Sequence, residues 1–142
     1  MTTAREMMNS GATCVDATMT LAEAAQMMRD LQVGSLPICG DDNRLHGIIT
    51  DRDIVVRCIA DGHDPNEITA GQLGDERLIW IDSEADATEV AQMMSDNKIR
   101  RLPVMTDNQL VGMISEADLA RHLADTELTE FVQAVYAAPP NN

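Results

Sequence analysis

A chain of 142 residues suits one compact globule or two very small ones, and its 44% apolar share is ordinary for a globular protein, yet Trp80, Phe131 and Tyr136 are its only aromatics, so Ala, Val, Ile, Leu and the ten Met must fill the interior. A formal charge of -14 repels phosphate backbones and anionic headgroups, which argues against nucleic acid and membrane surfaces as partners. No apolar run approaches the roughly 18 residues of a spanning helix, and residues 1–9 lack an apolar signal core, so the default compartment is the cytoplasm, with export without a recognisable signal left open.

Along the chain, Cys14 opens a first predicted strand, and Thr20 followed by Glu23 is a capping box that starts a helix. Ala24, Met27, Met28 and Leu31 then share one helical face. Strands are predicted over 33–38 and 45–49, joined by a turn at Asp41-Asp42-Asn43, and a closing helix over 51–60. Gly62 and Pro65 break the chain into a short linker at 61–66. The order then repeats: Asp86 with Glu89 as a second capping box, Val90, Met93 and Met94 on a helical face, strands over 99–105 and 110–114 around Asp107-Asn108, and a closing helix over 116–124. A last helix is expected over 128–136 and a frayed tail at 138–142, while Asp75-Glu76 reads as solvated surface.

The repetition holds register. Ala25-Gln26-Met27-Met28 recurs as Ala91-Gln92-Met93-Met94 and Leu36-Pro37 as Leu102-Pro103, with Asp16, Glu23 and Asp30 matching Asp82, Glu89 and Asp96, all at an offset of 66. After one deletion in the second turn, Gly47, Ile49, Thr50 and Asp53 match Gly112, Ile114, Ser115 and Asp118. Each copy is a β-α-β-β-α unit, and two such small cores on a short link are expected to pack as one pseudo-symmetric α/β (α+β) globule.

With Leu36-Pro37-Ile38 and Leu102-Pro103-Val104, and with the stretches 47–53 and 112–118, the chain resembles the CBS-domain family over residues 7–123. In that family two tandem repeats form a Bateman module. The resemblance implies CBS domains at 8–65 and 73–131, followed by a C-terminal tail at 132–142. It also implies an adenosine nucleotide such as AMP or ATP in clefts between the copies, and association as a homodimer. Carried over by position, Thr50 and Ser115 would contact phosphate, and Asp53 and Asp118 would bind ribose hydroxyls. A hydroxyl beside unpaired backbone N–H groups suits an anion, and a carboxylate one turn on can accept from a cis-diol. The same residues read equally as helix N-caps, and the two readings are compatible. The chain departs from the pattern in its negative charge, in lacking an aromatic to stack on adenine, and in having Glu116-Ala117 where the first copy has Asp51-Arg52. Arg52, Arg100 and Arg101 are either the compensating cations or solvated surface residues.

Two further groups are candidates. Cys58, His63 and His122 are a zinc donor set, or else a buried thiol beside two surface imidazoles. Cys14 and Cys39, at the ends of the first two strands, form either a bridge or two separate thiols. His46 reads as an ordinary exposed residue. No phosphate loop, zinc-protease helix or nucleophile elbow accompanies them, so catalysis is not expected. The leading expectation is a stand-alone sensing module, with no effector domain fused to its repeats, that signals to an unidentified protein partner. The alternative is a nucleotide-free structural or stress protein stabilised by a metal or a disulfide.

Overall fold

The computed structural model describes residues 2–11, 13–40, 44–74 and 78–136. The turn expected at 41–43, the pair Asp75-Glu76 and the tail at 138–142 lie outside them. In chain order the elements are α1 (Ala4–Met7), β1 (Asn9–Ser10), β2 (Val15–Asp16), α2 (Leu21–Leu31), β3 (Ser35–Cys39), β4 (Leu45–Thr50), α3 (Asp51–Asp53), a π-helical segment (Ile54–Ile59), α4 (Ala70–Leu73), β5 (Ile81–Asp82), α5 (Ala87–Asn97), β6 (Arg101–Thr106), β7 (Gln109–Ser115), α6 (Glu116–Ala120) and α7 (Asp125–Tyr136). They form two units, the first Thr13–Leu78 and the second Met1–Ala12 with Ile79–Asn142.

Each unit carries the expected β-α-β-β-α order. In the first unit β2 runs parallel to β3, with Val15 opposite Ile38, and β4 runs antiparallel to β3. The second unit repeats this with β5, β6 and β7, where Ile81 lies opposite Val104. Apolar faces of the helices pack on the sheets: Leu21, Ala24 and Met28 meet Val15, Leu36 and Ile49 in the first core, and Val90 and Met94 meet Leu102, Val104 and Ile114 in the second.

The helix starts follow the capping logic unevenly. Thr20 and Glu23 cap each other reciprocally, and Glu23 also accepts from the Thr20 hydroxyl at 3.0 Å. Asp86 accepts from the Glu89 N–H at 2.9 Å, but the return half of the box is missing. Two carboxylates on one turn repel. The helix ends move the strand starts. Gln32 and Lys98 take left-handed conformations with φ of 58° and 54°. That lets Val33 and Ile99 return hydrogen bonds to Met28 and Met94. Both residues, expected in strands, therefore close the preceding helices.

The lead-in segments have no counterpart in the predicted elements. The segment carrying α1 and β1 precedes the first repeat in sequence but is built into the second unit: β1 pairs antiparallel with β7, and the Ala4 N–H bonds the Ala85 carbonyl at 2.7 Å. Conversely, α4 precedes the second repeat and is built into the first unit, with Ala70 N–H on Met19 O at 2.8 Å and Gly71 N–H on Ala17 O at 2.9 Å. Thr3 caps α1 and Thr69 caps α4, and the bridges Thr3–Asp86 and Thr20–Thr69 are counterparts at the same offset of 66.

The second closing helix stops at Ala120 rather than near 124, and the last helix starts at Asp125. Residues 132–136 continue α7, within the last helix expected over 128–136, and its Phe131 and Val135 are buried in the second core. Among the described residues no helix is long and apolar enough to cross a membrane.

Candidate functional site

The two hydroxyl-x-x-carboxylate motifs sit where β4 meets α3 and where β7 meets α6. Each is a complete capping box. Thr50 Oγ1 accepts from the Asp53 N–H at 3.1 Å while Asp53 Oδ2 accepts from the Thr50 N–H at 3.0 Å. Ser115 Oγ accepts from the Asp118 N–H at 3.2 Å, and Asp118 Oδ2 accepts from the Ser115 N–H and hydroxyl, both at 2.9 Å. Asp53 and Asp118 are each 8% exposed as residues. Burial at that level requires hydrogen-bond partners, and the boxes supply them.

Around this shared core the repeats differ. In the first, Arg57 Nη1 lies 3.9 Å from Asp53 Oδ1 and donates to the Leu73 carbonyl at 2.8 Å, tying α4 to the closing helix. Asp51 donates its N–H to the Gly34 carbonyl at 2.9 Å, and its own Oδ1 accepts from the Arg52 N–H at 2.8 Å. Gly34 leaves room for that carboxylate, because a Cβ there would stand 3.0 Å from Asp51 Oδ2. The Arg52 side chain is exposed.

In the second repeat, Asn9 of the lead-in strand donates its side-chain amide to Asp118 Oδ2 at 2.9 Å, and Arg121 approaches Oδ1 at 3.7 Å. Glu116 donates its N–H to the Arg100 carbonyl at 2.8 Å. Its carboxylate turns to the Tyr136 hydroxyl, and the Arg100 guanidinium lies 4.4 Å from the Tyr136 ring centre. The hydrogen bond to Glu116, then burial and the carboxylate's charge, push the Tyr136 phenol above its ordinary value, while Arg100 pulls it the other way. Arg101 stands across the ladder from Ser115, as Ser35 does from Thr50.

Asn9, Tyr136 and the part played by Asp51 are not among the residues the sequence points to. Tyr136 supplies an aromatic beside the second motif. Its signal is the apolar spacing Leu128, Phe131, Val135, which makes α7 fold back on α5. The lead-in is visible as Thr3-Ala4 against Thr69-Ala70 at the established offset.

Cys58 is fully buried and its thiol donates to the His63 backbone carbonyl at 3.6 Å, whereas the His63 and His122 imidazoles are exposed and belong to different units. Among the described residues no three His, Cys, Asp or Glu side chains are placed to hold one ion. Four ligands in tetrahedral array are the usual requirement for structural zinc. Cys14 and Cys39 do come together, with sulfurs at bonding distance, 2.05 Å, and Cα atoms 5.5 Å apart. His46 is exposed, as expected.

A CBS-domain family model matches residues 4–59 and 70–125, so both matched segments begin at the lead-in helices. The chain is 49% identical over 135 residues to hypoxic response protein 1 of Mycobacterium tuberculosis, covering 95% of this chain and 94% of that protein. It is 31% identical over 120 residues to the CBS domain-containing protein YhcV of Bacillus subtilis, covering 84% of each. The crystal structure of hypoxic response protein I with two coordinated zinc ions is similar with a TM-score of 0.78 at 51% identity, over 87% of this chain and all of that one.

Proposed function

We propose, from the premise that the chain belongs to the CBS-domain family, that it works as a regulatory protein of a hypoxic or stress response, without catalysis of its own, whose repeats take an adenosine nucleotide. The observation that carries the ligand reading is the pair of buried carboxylates, Asp53 and Asp118, each one turn from a hydroxyl at the same place in its repeat. A cis-diol can share such an acceptor, and the Thr50 hydroxyl can donate to phosphate, as the Ser115 hydroxyl can once it turns from Asp118 Oδ2. The relative's name supports the response in which it would act. A ligand of this kind regulates by binding two arrangements of the protein with different affinity, which a protein partner then reads.

Calorimetric titration with AMP, ATP and S-adenosylmethionine tests this. Saturable binding by the native chain, lost in the Asp53→Ala/Asp118→Ala double variant, is expected. Silence toward all three ligands sinks the nucleotide reading.

A second reading is favoured by the zinc ions in the related structure. Because one chain gathers no three-donor set among its described residues, zinc here would be completed by a second copy, with Cys58, His63 and His122 as the donors to test, and would tie a homodimer together. Purified protein should then carry zinc that is lost in Cys58→Ser, and chelation should lower the mass seen by light scattering from dimer to monomer. A mass indifferent to chelation contradicts it.

A further inference from the structure

The two repeats present the same hydroxyl and carboxylate, but the acidic residue between them points in opposite ways. In the first repeat Asp51 turns its carboxylate onto the Arg52 N–H beside Thr50, in space left by Gly34. A phosphate held by the Thr50 hydroxyl would lie on the same turn, one residue from that carboxylate. In the second repeat the homologous Glu116 is drawn to the Tyr136 hydroxyl. Position 100, the counterpart of Gly34, carries a cation that lies over the Tyr136 ring. A phosphate beside Thr50 would therefore meet a resident negative charge, and like charges brought together repel. Beside Ser115 that charge is held aside.

We propose that Asp51 and Glu116 decide which repeat admits the nucleotide: Asp51 acts as a built-in anion that closes the first repeat, and Tyr136 holds Glu116 off the second, so that each chain takes one nucleotide, at Ser115 and Asp118. This deepens the nucleotide reading and rests on it. Tyr136 is a positioning residue: it acts through Glu116. The charge asymmetry is invisible in the motif itself, since Asp and Glu occupy matching positions in both repeats.

AMP titration by calorimetry, reading stoichiometry as well as affinity, tests it. The native chain should bind one AMP. Asp51→Ala, a change at an exposed side chain, should bind two. Asp118→Ala should bind none while Asp53→Ala still binds one. Should Asp118→Ala fail to fold, Tyr136→Phe tests the same site: release of Glu116 should weaken AMP by about tenfold, and Tyr136→Phe/Glu116→Gln should recover the native affinity. Two AMP per native chain, or one per Asp51→Ala chain, overturns the inference and leaves the nucleotide reading standing. No binding by either protein overturns both.

Discussion

A phenol that donates to a carboxylate holds its proton more tightly than a solvated one, because ionising it would set two anions against each other. Tyr136 is in that position, and as the chain's sole tyrosine it can be followed alone by ultraviolet absorbance. Its ionisation should fall above the ordinary tyrosine range near ~10 and return toward it in Glu116→Gln. The linkage has a definite sign. A folded-state value raised above the unfolded one gives stability that is complete below the unfolded value and is lost as pH rises through the folded one. The attachment of α7 should thus loosen on the alkaline side, modestly because the side chain is half exposed. A native titration indistinguishable from Glu116→Gln contradicts the clasp. At this scale the sequence reveals what depends on local spacing. Thr50, Asp53, Ser115 and Asp118 are legible because an N-cap and its first turn lie within four residues. Asn9 is not, since it meets Asp118 across 109 residues, and spacing carries no trace of that contact.

The lead-in strand matters beyond its two residues, because β1 delivers the Asn9 amide to Asp118. Gly112 of β7 allows this close approach. A Cβ there would stand 2.5 Å from Met8 Sδ, which can swing aside, and 2.8 Å from the Asn9 carbonyl oxygen, which is backbone and cannot. Gly112→Ala should therefore displace β1, destabilise the second unit by about 1–3 kcal/mol in urea unfolding and speed hydrogen exchange at Asn9 and Ser10. Unchanged exchange at those amides would show that β1 is not held by this contact. Element order and type are readable from apolar periodicity, including the β-α-β-β-α succession in both copies. The lead-ins are not, because α1 and α4 are single turns too short for periodicity to register. They also complete the unit of the other copy in sequence order. Equally, the strand starts slip by two residues because Gln32 and Lys98 adopt a conformation that Gly usually marks, and neither residue announces it.

For the molecule as a whole the open chemical variable is the state of its three cysteines. Cys58 is buried in the first core, and Cys14 and Cys39 bracket the parallel pair β2 and β3 of the same unit. Geometry permits the Cys14–Cys39 bond, since Cα atoms 5.5 Å apart lie at the usual disulfide spacing. Whether it persists is set by the surrounding redox poise. The bond therefore links the stability of the first unit to the redox poise of its compartment. Closing a loop with a sequence separation of 25 removes unfolded-chain entropy amounting to about 3.5 kcal/mol. Protein purified without reductant and then denatured should expose one reactive thiol, from Cys58, and three after reduction. Dithiothreitol, or Cys14→Ser, should lower the melting temperature of the first unit, which holds all three cysteines. Trp80, in the second unit and partly exposed, reports that unit separately by fluorescence. Three reactive thiols before reduction would mean that the two sulfurs remain unbonded, and the stability of the first unit would then be indifferent to redox conditions.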